Sequence, residues 1–269
     1  MQRLLAVSLL EAGFEPHWQV LQYQCSPLVA DWLRQQGRLD EGAAHLNAAA
    51  DYHLYLRRHE RRTLNQGIAA HHALRRAARN TEADRLTLDA IVGPLTRAGL
   101  YATLLSEWLP RICDSQDQQT RAEALGQTGK INHHLGAYDT ALGYLKQSLS
   151  IMQQIGDKAG EGTTLNNISQ IFKAQGDYET ALGYLKQSLR IRQQIGDKAG
   201  LCATLFNMGH IHAQNEQIPE AFNAWVNAYI IAKQINGAQV LQALSQLAPQ
   251  LGLPEGLEGW AQLAQRLQP

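Results

Sequence analysis

Cysteine is scarce in this chain: Cys25, Cys113 and Cys202 are the three among 269 residues, far apart and without partner spacing. An odd, scattered set argues against a disulfide framework and fits a reducing cytosol, so a cytoplasmic location is expected. Charge is also sparse, at 18% of residues, and 24 basic side chains balance 24 acidic ones. A neutral chain has no overall pull toward nucleic acid or anionic lipid. Aromatic residues make up 7%, and no lysine precedes Lys130. No run approaches the roughly 18–20 apolar residues that a membrane span needs, so no membrane partner is expected. The opening MQRLLAVSLLEAG has a short apolar run interrupted by Glu11 and no small-residue cleavage site. It reads as an amphipathic helix rather than a signal peptide.

Catalytic and metal-binding signatures are missing as well. The string nearest to a phosphate-binding loop, Gly126-Gln127-Thr128-Gly129-Lys130-Ile131, lacks the first glycine at the required distance and any Ser or Thr after the lysine. Ten histidines invite a metal reading, but His71-His72 and His133-His134 are adjacent, and His210 and His212 are two apart. On a helix such pairs face apart. Neither HExxH nor CxxC occurs, and no Gly-x-Ser-x-Gly elbow is found. No metal, cofactor or catalytic residue is expected, and the chain reads as a binder rather than an enzyme.

What the sequence does have is a long internal repeat. Residues 137–160, AYDTALGYLKQSLSIMQQIGDKAG, return forty positions later at 177–200 as DYETALGYLKQSLRIRQQIGDKAG, with twenty of twenty-four positions identical. A fixed period of this length means that one supersecondary unit is stacked repeatedly. Within the unit, Leu165, Ile168, Ile171 and Phe172 mark one face of a first helix. Ala181, Leu182, Leu185, Ser188, Leu189 and Ile191 mark a second. Gly176 supplies the left-handed turn between them, Asp177 caps the second helix, and Gly196-Asp197 ends it and starts the next unit. Forty residues then hold two helices of roughly 17 residues, each about 25 Å long. Gly143 and Gly183, inside second helices, belong on the outer face.

The spacing Leu165–Ile168–Ser169–Phe172–Gly176–Tyr178–Ala181–Leu185–Ser188 resembles the tetratricopeptide pattern in its longer, forty-residue form. That form is similar to the arrays of kinesin light chains and of bacterial peptide-sensing regulators. The preceding copy fits through Leu125, Gly129, Gly136, Tyr138, Ala141, Leu145 and Ser148. It departs at Thr128 and Asn132, where larger apolar residues are usual, so its first helix should pack less tightly. The following copy fits through Leu205, Met208, Gly209, Ala221, Trp225 and Ala228, but its turn, Asn215 to Pro219, has lost the glycine. The resemblance implies an all-α fold, a right-handed α-solenoid of antiparallel helix pairs, with three repeats over 121–237.

Around these repeats, 37–120 reads as degenerate helical repeats. One hairpin runs through Ile91, Leu95, Gly99, Tyr101 and Trp108, and another through Val29, Leu33, Gly37, Leu39, Leu46 and Ala49. Residues 238–269 read as capping helices around Val240–Leu251 and Leu257–Leu267. Residues 1–36 read as a helical segment with a strand-like piece at Trp18–Tyr23. They resemble a winged-helix remnant, as at the motor–sensor junction of STAND-class signalling NTPases. An Arg-rich segment at 57–79 holds Arg57, Arg58, Arg61, Arg62, Arg75, Arg76 and Arg79.

In this family the first helices line the concave wall. The resemblance therefore places Gln127, Lys130, His133 and His134 there from the first copy. It adds Asn166, Asn167, Gln170 and Lys173 from the second, and Phe206, Asn207 and His210 from the third. Asn167 and Asn207 recur at the repeat period with Gln127 in register. A side-chain amide offers donor and acceptor together and so can hold an extended peptide backbone. Lys130, Lys173 and the imidazoles could add selection for acidic groups. The same amides could instead bond neighbouring helices and stabilise the stack. The expected function is a protein- or peptide-binding scaffold. Alternatives are the sensor arm of a STAND-like NTPase without its motor, or nucleic-acid binding through 57–79. Near-identical neighbouring repeats also allow self-association through their ends.

Overall fold

A computed structural model describes residues 10–15, 20–25, 63–254 and 256–267, together with positions 47, 50, 51, 53–55 and 57. By contacts the chain divides into two compact units, Met1–Asn80 and Thr81–Pro269.

The first unit contains a β-hairpin, in which β1 (Leu10–Glu15) pairs antiparallel with β2 (Val20–Cys25), Leu10 facing Cys25 and Glu15 facing Val20. This corrects the helical reading of the opening stretch where it reached Leu10–Glu15. Gly13 weakens a helix there and Pro16 ends one, whereas Val20 and Tyr23 favour an extended partner. The strand-like piece overlaps β2. The hairpin read at Val29–Ala49 lies outside the described residues, as do Arg58, Arg61 and Arg62. Farther along, α1 (Leu64–Arg76) starts at a capping box in which Thr63 and Gln66 exchange side-chain and main-chain hydrogen bonds of 3.3 Å. Arginines of this unit are engaged within it. Arg79 pairs with Asp51 at 2.6 Å, and Arg75 donates to Asn80 at 3.0 Å.

The second unit is a right-handed solenoid of antiparallel helix pairs. Its first pair begins with α2 (Asn80–Thr87), which passes through a π-helical turn at Leu88–Val92 into α3 (Gly93–Arg97). After Gly99, α4 (Tyr101–Thr103) passes through a second π-helical turn, Leu104–Trp108, into α5 (Leu109–Cys113). Three regular pairs follow: α6 (Gln118–His134) with α7 (Tyr138–Ile155), α8 (Lys158–Ala174) with α9 (Tyr178–Ile195), and α10 (Lys198–Gln214) with α11 (Ile218–Gln234). The last pair is α12 (Ala238–Leu247), a short 3-10 turn, and α13 (Glu258–Leu267). Its Trp260 is fully buried and donates from Nε1 to the Leu244 carbonyl at 2.8 Å, covering the apolar face left by α11.

The forty-residue period is visible in the packing. Leu145, Leu185 and Trp225 occupy one recurring position and are essentially fully buried. Each faces a small residue of the first helix: a Cβ on Gly129 would lie 2.6 Å from Leu145, and Gly209 is pressed equally close to Trp225. Asp117, Asp157 and Asp197 cap α6, α8 and α10 by accepting from the main-chain N–H three residues on, and Asp177 does the same for α9. Gly143 and Gly183 have open space around them, consistent with an outward position. The polar Thr128 and Asn132 turn back on their own helix, to Ala124 O at 2.9 Å and Thr128 O at 2.8 Å. Both line a 390 Å³ cavity against α5.

Candidate functional site on the first helices

Helices α6, α8 and α10 lie side by side, each touching the next, and carry the residues singled out above. Between α6 and α8 lies a groove of about 430 Å³. Helix α6 lines it with Glu123, Gly126, Gln127 and Lys130, and α8 with Thr163, Thr164 and Asn167. Ser148 and Met152 of α7 close one side, and Leu88 and Asp89 contribute from the neighbouring π-helical turn. Gln127 and Asn167 are half-buried, while Lys130 is exposed. The Asn167 side chain makes no hydrogen bond to any other described residue, so its amide is available to a ligand.

The third amide behaves differently. Asn207 donates from Nδ2 to Asn166 Oδ1 at 3.1 Å, linking α10 to α8. The periodic row therefore splits: Gln127 and Asn167 share the groove, whereas Asn207 is engaged with its neighbour. Below that bridge, at the C-terminal ends of the first helices, His133, Gln170, Lys173 and His210 form a second patch, all half-buried. Burial holds His133 below the ordinary imidazole range and the adjacent His134 adds to this, while the Gln170 main chain works the other way. Burial likewise lowers Lys173. His210 is lowered by burial and then by the charge of Lys173, so these two groups face each other across α8 and α10. The lysine charge disfavours a proton on His210, and a carboxylate placed between them would offset it.

Two predicted residues stand apart. His134 stacks on Tyr101 of the preceding pair, with centroids 6.2 Å apart, and Phe206 packs edge-on to His210 at 4.6 Å. Phe206 is also part of the apolar core beneath α11, as His210 is through its edge contact with Trp225 at 5.3 Å.

The spacing template passes over Gln119 and Asp157, which the structure brings to the mouth of the groove. Gln119 Nε2 donates to Glu123 Oε1 at 2.8 Å and to Asp157 Oδ2 at 2.9 Å, so one neutral amide bridges two carboxylates. The sequence signal lay in the repeat itself, because Asp157 matches Asp197 forty residues later.

The thiols of Cys113 and Cys202 are not activated. Burial pushes the Cys202 thiol up to about 11 and raises Cys113 as well. The buried hydroxyls of Ser148 and Ser188 donate to helix carbonyls at 2.8 Å. Among the described residues no group of three or more His, Cys, Asp or Glu is placed to hold a metal ion, and no helix is long and apolar enough to cross a membrane. The arrangement offers hydrogen-bonding amides and charged groups along a groove, which is the chemistry of recognition.

Comparison with known proteins agrees with this geometry. The sequence model of the tetratricopeptide repeat family matches residues 120–194. Among solved structures, BtubC (BKLC) from P. vanneervenii is similar over 83% of this chain and 88% of its own, with 18% identity and a TM-score of 0.53. Aspartyl phosphate phosphatase F from Bacillus subtilis is similar over 91% of this chain and 66% of its own, with 14% identity and a TM-score of 0.63. A Rap protein complexed with Competence and Sporulation Factor is similar over 77% and 71%, with 13% identity and a TM-score of 0.56. These likenesses are of fold. No curated protein sequence matches the chain.

Proposed function

With residues 120–194 being tetratricopeptide repeats, we propose that this chain is a non-catalytic scaffold whose first-helix wall holds an extended segment of another polypeptide. The observation that carries the reading is Asn167: half-buried in a 430 Å³ groove beside Gln127, it has no internal partner among the described residues. An amide in that setting can accept from a peptide N–H and donate to a C=O, gripping the backbone without depending on its side chains. The similarity of fold to a Rap protein solved with Competence and Sporulation Factor supports a polypeptide occupant. Asn207, already bonded to Asn166, acts here by fixing α10 against α8.

The test is to pan random dodecapeptides displayed on phage against immobilised protein and against the Asn167→Ala variant. The reading expects enrichment on the parent chain that the variant loses while its helical signal and melting midpoint stay unchanged. No enrichment on the parent chain overturns it.

A further inference from the structure

The two near-identical copies differ at four of twenty-four positions, and one difference is Met152 against Arg192. Arg192 is buried, at 7% exposure. Its Nη1 donates to Asp197 Oδ2 at 2.5 Å, Nη2 to Thr163 Oγ1 at 3.1 Å and Nε to Ser188 Oγ at 3.2 Å. The junction between the second and third repeats thus contains a guanidinium of the chain itself, hydrogen-bonded through each of its three nitrogens.

One period earlier the acceptors are still present. Asp157 stands for Asp197, Ser148 for Ser188, and Glu123 for Thr163, which replaces a hydroxyl by a carboxylate. Met152 takes the first part of the arginine's path, passing Gly160 as Arg192 passes Gly200. It carries no donor, and the 430 Å³ groove opens where the guanidinium would continue. The neutral Gln119 amide spans the Glu123 and Asp157 carboxylates in its stead. Glu123 is exposed and Gln119 half-buried at the mouth of the groove, so an incoming cation reaches the carboxylate without unfolding anything. Among the described residues no cation pairs with either carboxylate, so the bridge leaves two negative charges side by side.

We infer that this groove is a specificity pocket for an arginine side chain of the bound polypeptide, whose guanidinium displaces the Gln119 amide and bridges Glu123 and Asp157. This rests on the reading of the first-helix wall as a polypeptide-binding surface and names what that wall selects. A planar fork of donors matches two carboxylates about one bridging group apart, and a guanidinium adds the attraction of opposite charges that the neutral amide lacks. Lysine, a point charge with a strongly held hydration shell, reproduces neither the fork nor the reach to both oxygens.

The probe is N-acetyl-arginine methylamide, titrated into the full chain at low salt while the Gln119 side-chain resonances and the amides of residues 119, 123 and 157 are followed by NMR. Citrulline and lysine analogues are run in parallel. Expected are saturable shifts for the arginine probe, about tenfold weaker binding or less for the citrulline isostere, and weakened binding in Glu123→Gln. Met152→Arg, which supplies an internal guanidinium as the next repeat does, should abolish the response. Equal affinity for citrulline or lysine, or an undiminished arginine response in Met152→Arg and Glu123→Gln, would overturn the inference. The probe is a single residue and cannot run along the wall as an extended peptide does. Failed dodecapeptide panning with intact arginine shifts would therefore sink only the extended-peptide reading, and successful panning without arginine preference would sink only this pocket.

Discussion

Ser188 on α9 donates its hydroxyl to the Gly162 carbonyl of α8 at 2.8 Å, fastening the two helices of one repeat near their buried crossing. Ser148 makes the same 2.8 Å bond to Ala122 one repeat earlier. In the third repeat the position of the serine is taken by Ala228 and that of Gly162 by Cys202. There the bond runs the other way, from Cys202 Sγ to the Ala228 carbonyl at 3.2 Å. A carbonyl in mid-helix is already paired along its own helix, so the small residue at this site serves close approach and the hydroxyl adds a second bond.

Ser188→Ala removes that donor and also an acceptor for Arg192 Nε. Leaving a buried guanidinium nitrogen unserved, and removing the second bond of the Gly162 carbonyl, should cost roughly 1–3 kcal/mol. Urea denaturation followed by circular dichroism measures it, and a cost below the error of the midpoint would place the stability of the crossing elsewhere.

Leu185 is fully buried where α8, α9 and α10 meet. Leu185→Ala should cost roughly 2–5 kcal/mol. In a linear array each repeat touches only its neighbours, so the loss should split the melt into two steps. Tryptophan fluorescence, weighted toward Trp225 and Trp260, and far-ultraviolet dichroism should then give different midpoints. Coincident curves with an unchanged midpoint would contradict the assignment.

Glu216 has φ +59 and Asn236 φ +52, at places where the earlier repeats carry Gly176 and Gly196. The turn geometry outlasted the glycine, and the Cβ of Glu216 is held in the left-handed region at a cost of about 1–2 kcal/mol. Part of that returns as the lower backbone entropy of an unfolded glutamate. Glu216→Gly should therefore raise stability by about 0.5–1 kcal/mol, read as a higher urea midpoint with an unchanged slope. A lower midpoint would mean that the glutamate side chain contributes something its exposure does not suggest.

His210 and His133 are held below the ordinary 6.5 when folded. The unfolded chain takes up these protons as pH falls through 6.5 while the folded chain resists. It thus binds more protons in that window, and stability drops with falling pH until the folded groups also protonate. The melting midpoint should decline from pH 7.5 to pH 5.5, and less steeply in His210→Leu. An unchanged pH slope in the variant would show that His210 does not carry the effect.

Much of the array was legible in the sequence because each of its devices is local. The Gly–Asp signals at 156–157, 176–177 and 196–197 place the turns and caps, and the 3.6-residue pattern around Leu165 and Leu185 places the buried faces. Residues 10–15 were misread because a short apolar stretch fits either period, and only its pairing with Val20–Cys25 decides for a strand. The wall was legible as a set of positions but not as a set of contacts. Equivalent register suggested one role for Asn167 and Asn207, yet the side chain one residue earlier, Asn166, engages Asn207 and leaves Asn167 alone. Similarly, Asp157 and Asp197 sit in the same local sequence, yet their second partners differ because Arg192 stands where the earlier repeat has Met152 and Ala159 where it has Gln119.

The claim that the first helices hold a polypeptide is tested most directly by calorimetric titration of one panned dodecapeptide into the parent chain and into Asn167→Ala. Loss of the hydrogen bonds of one amide, each worth about 0.5–1.5 kcal/mol, predicts about tenfold weaker binding or more, with the melting midpoint of the variant unchanged. Equal affinity for the two proteins would contradict the account, whatever the affinity is.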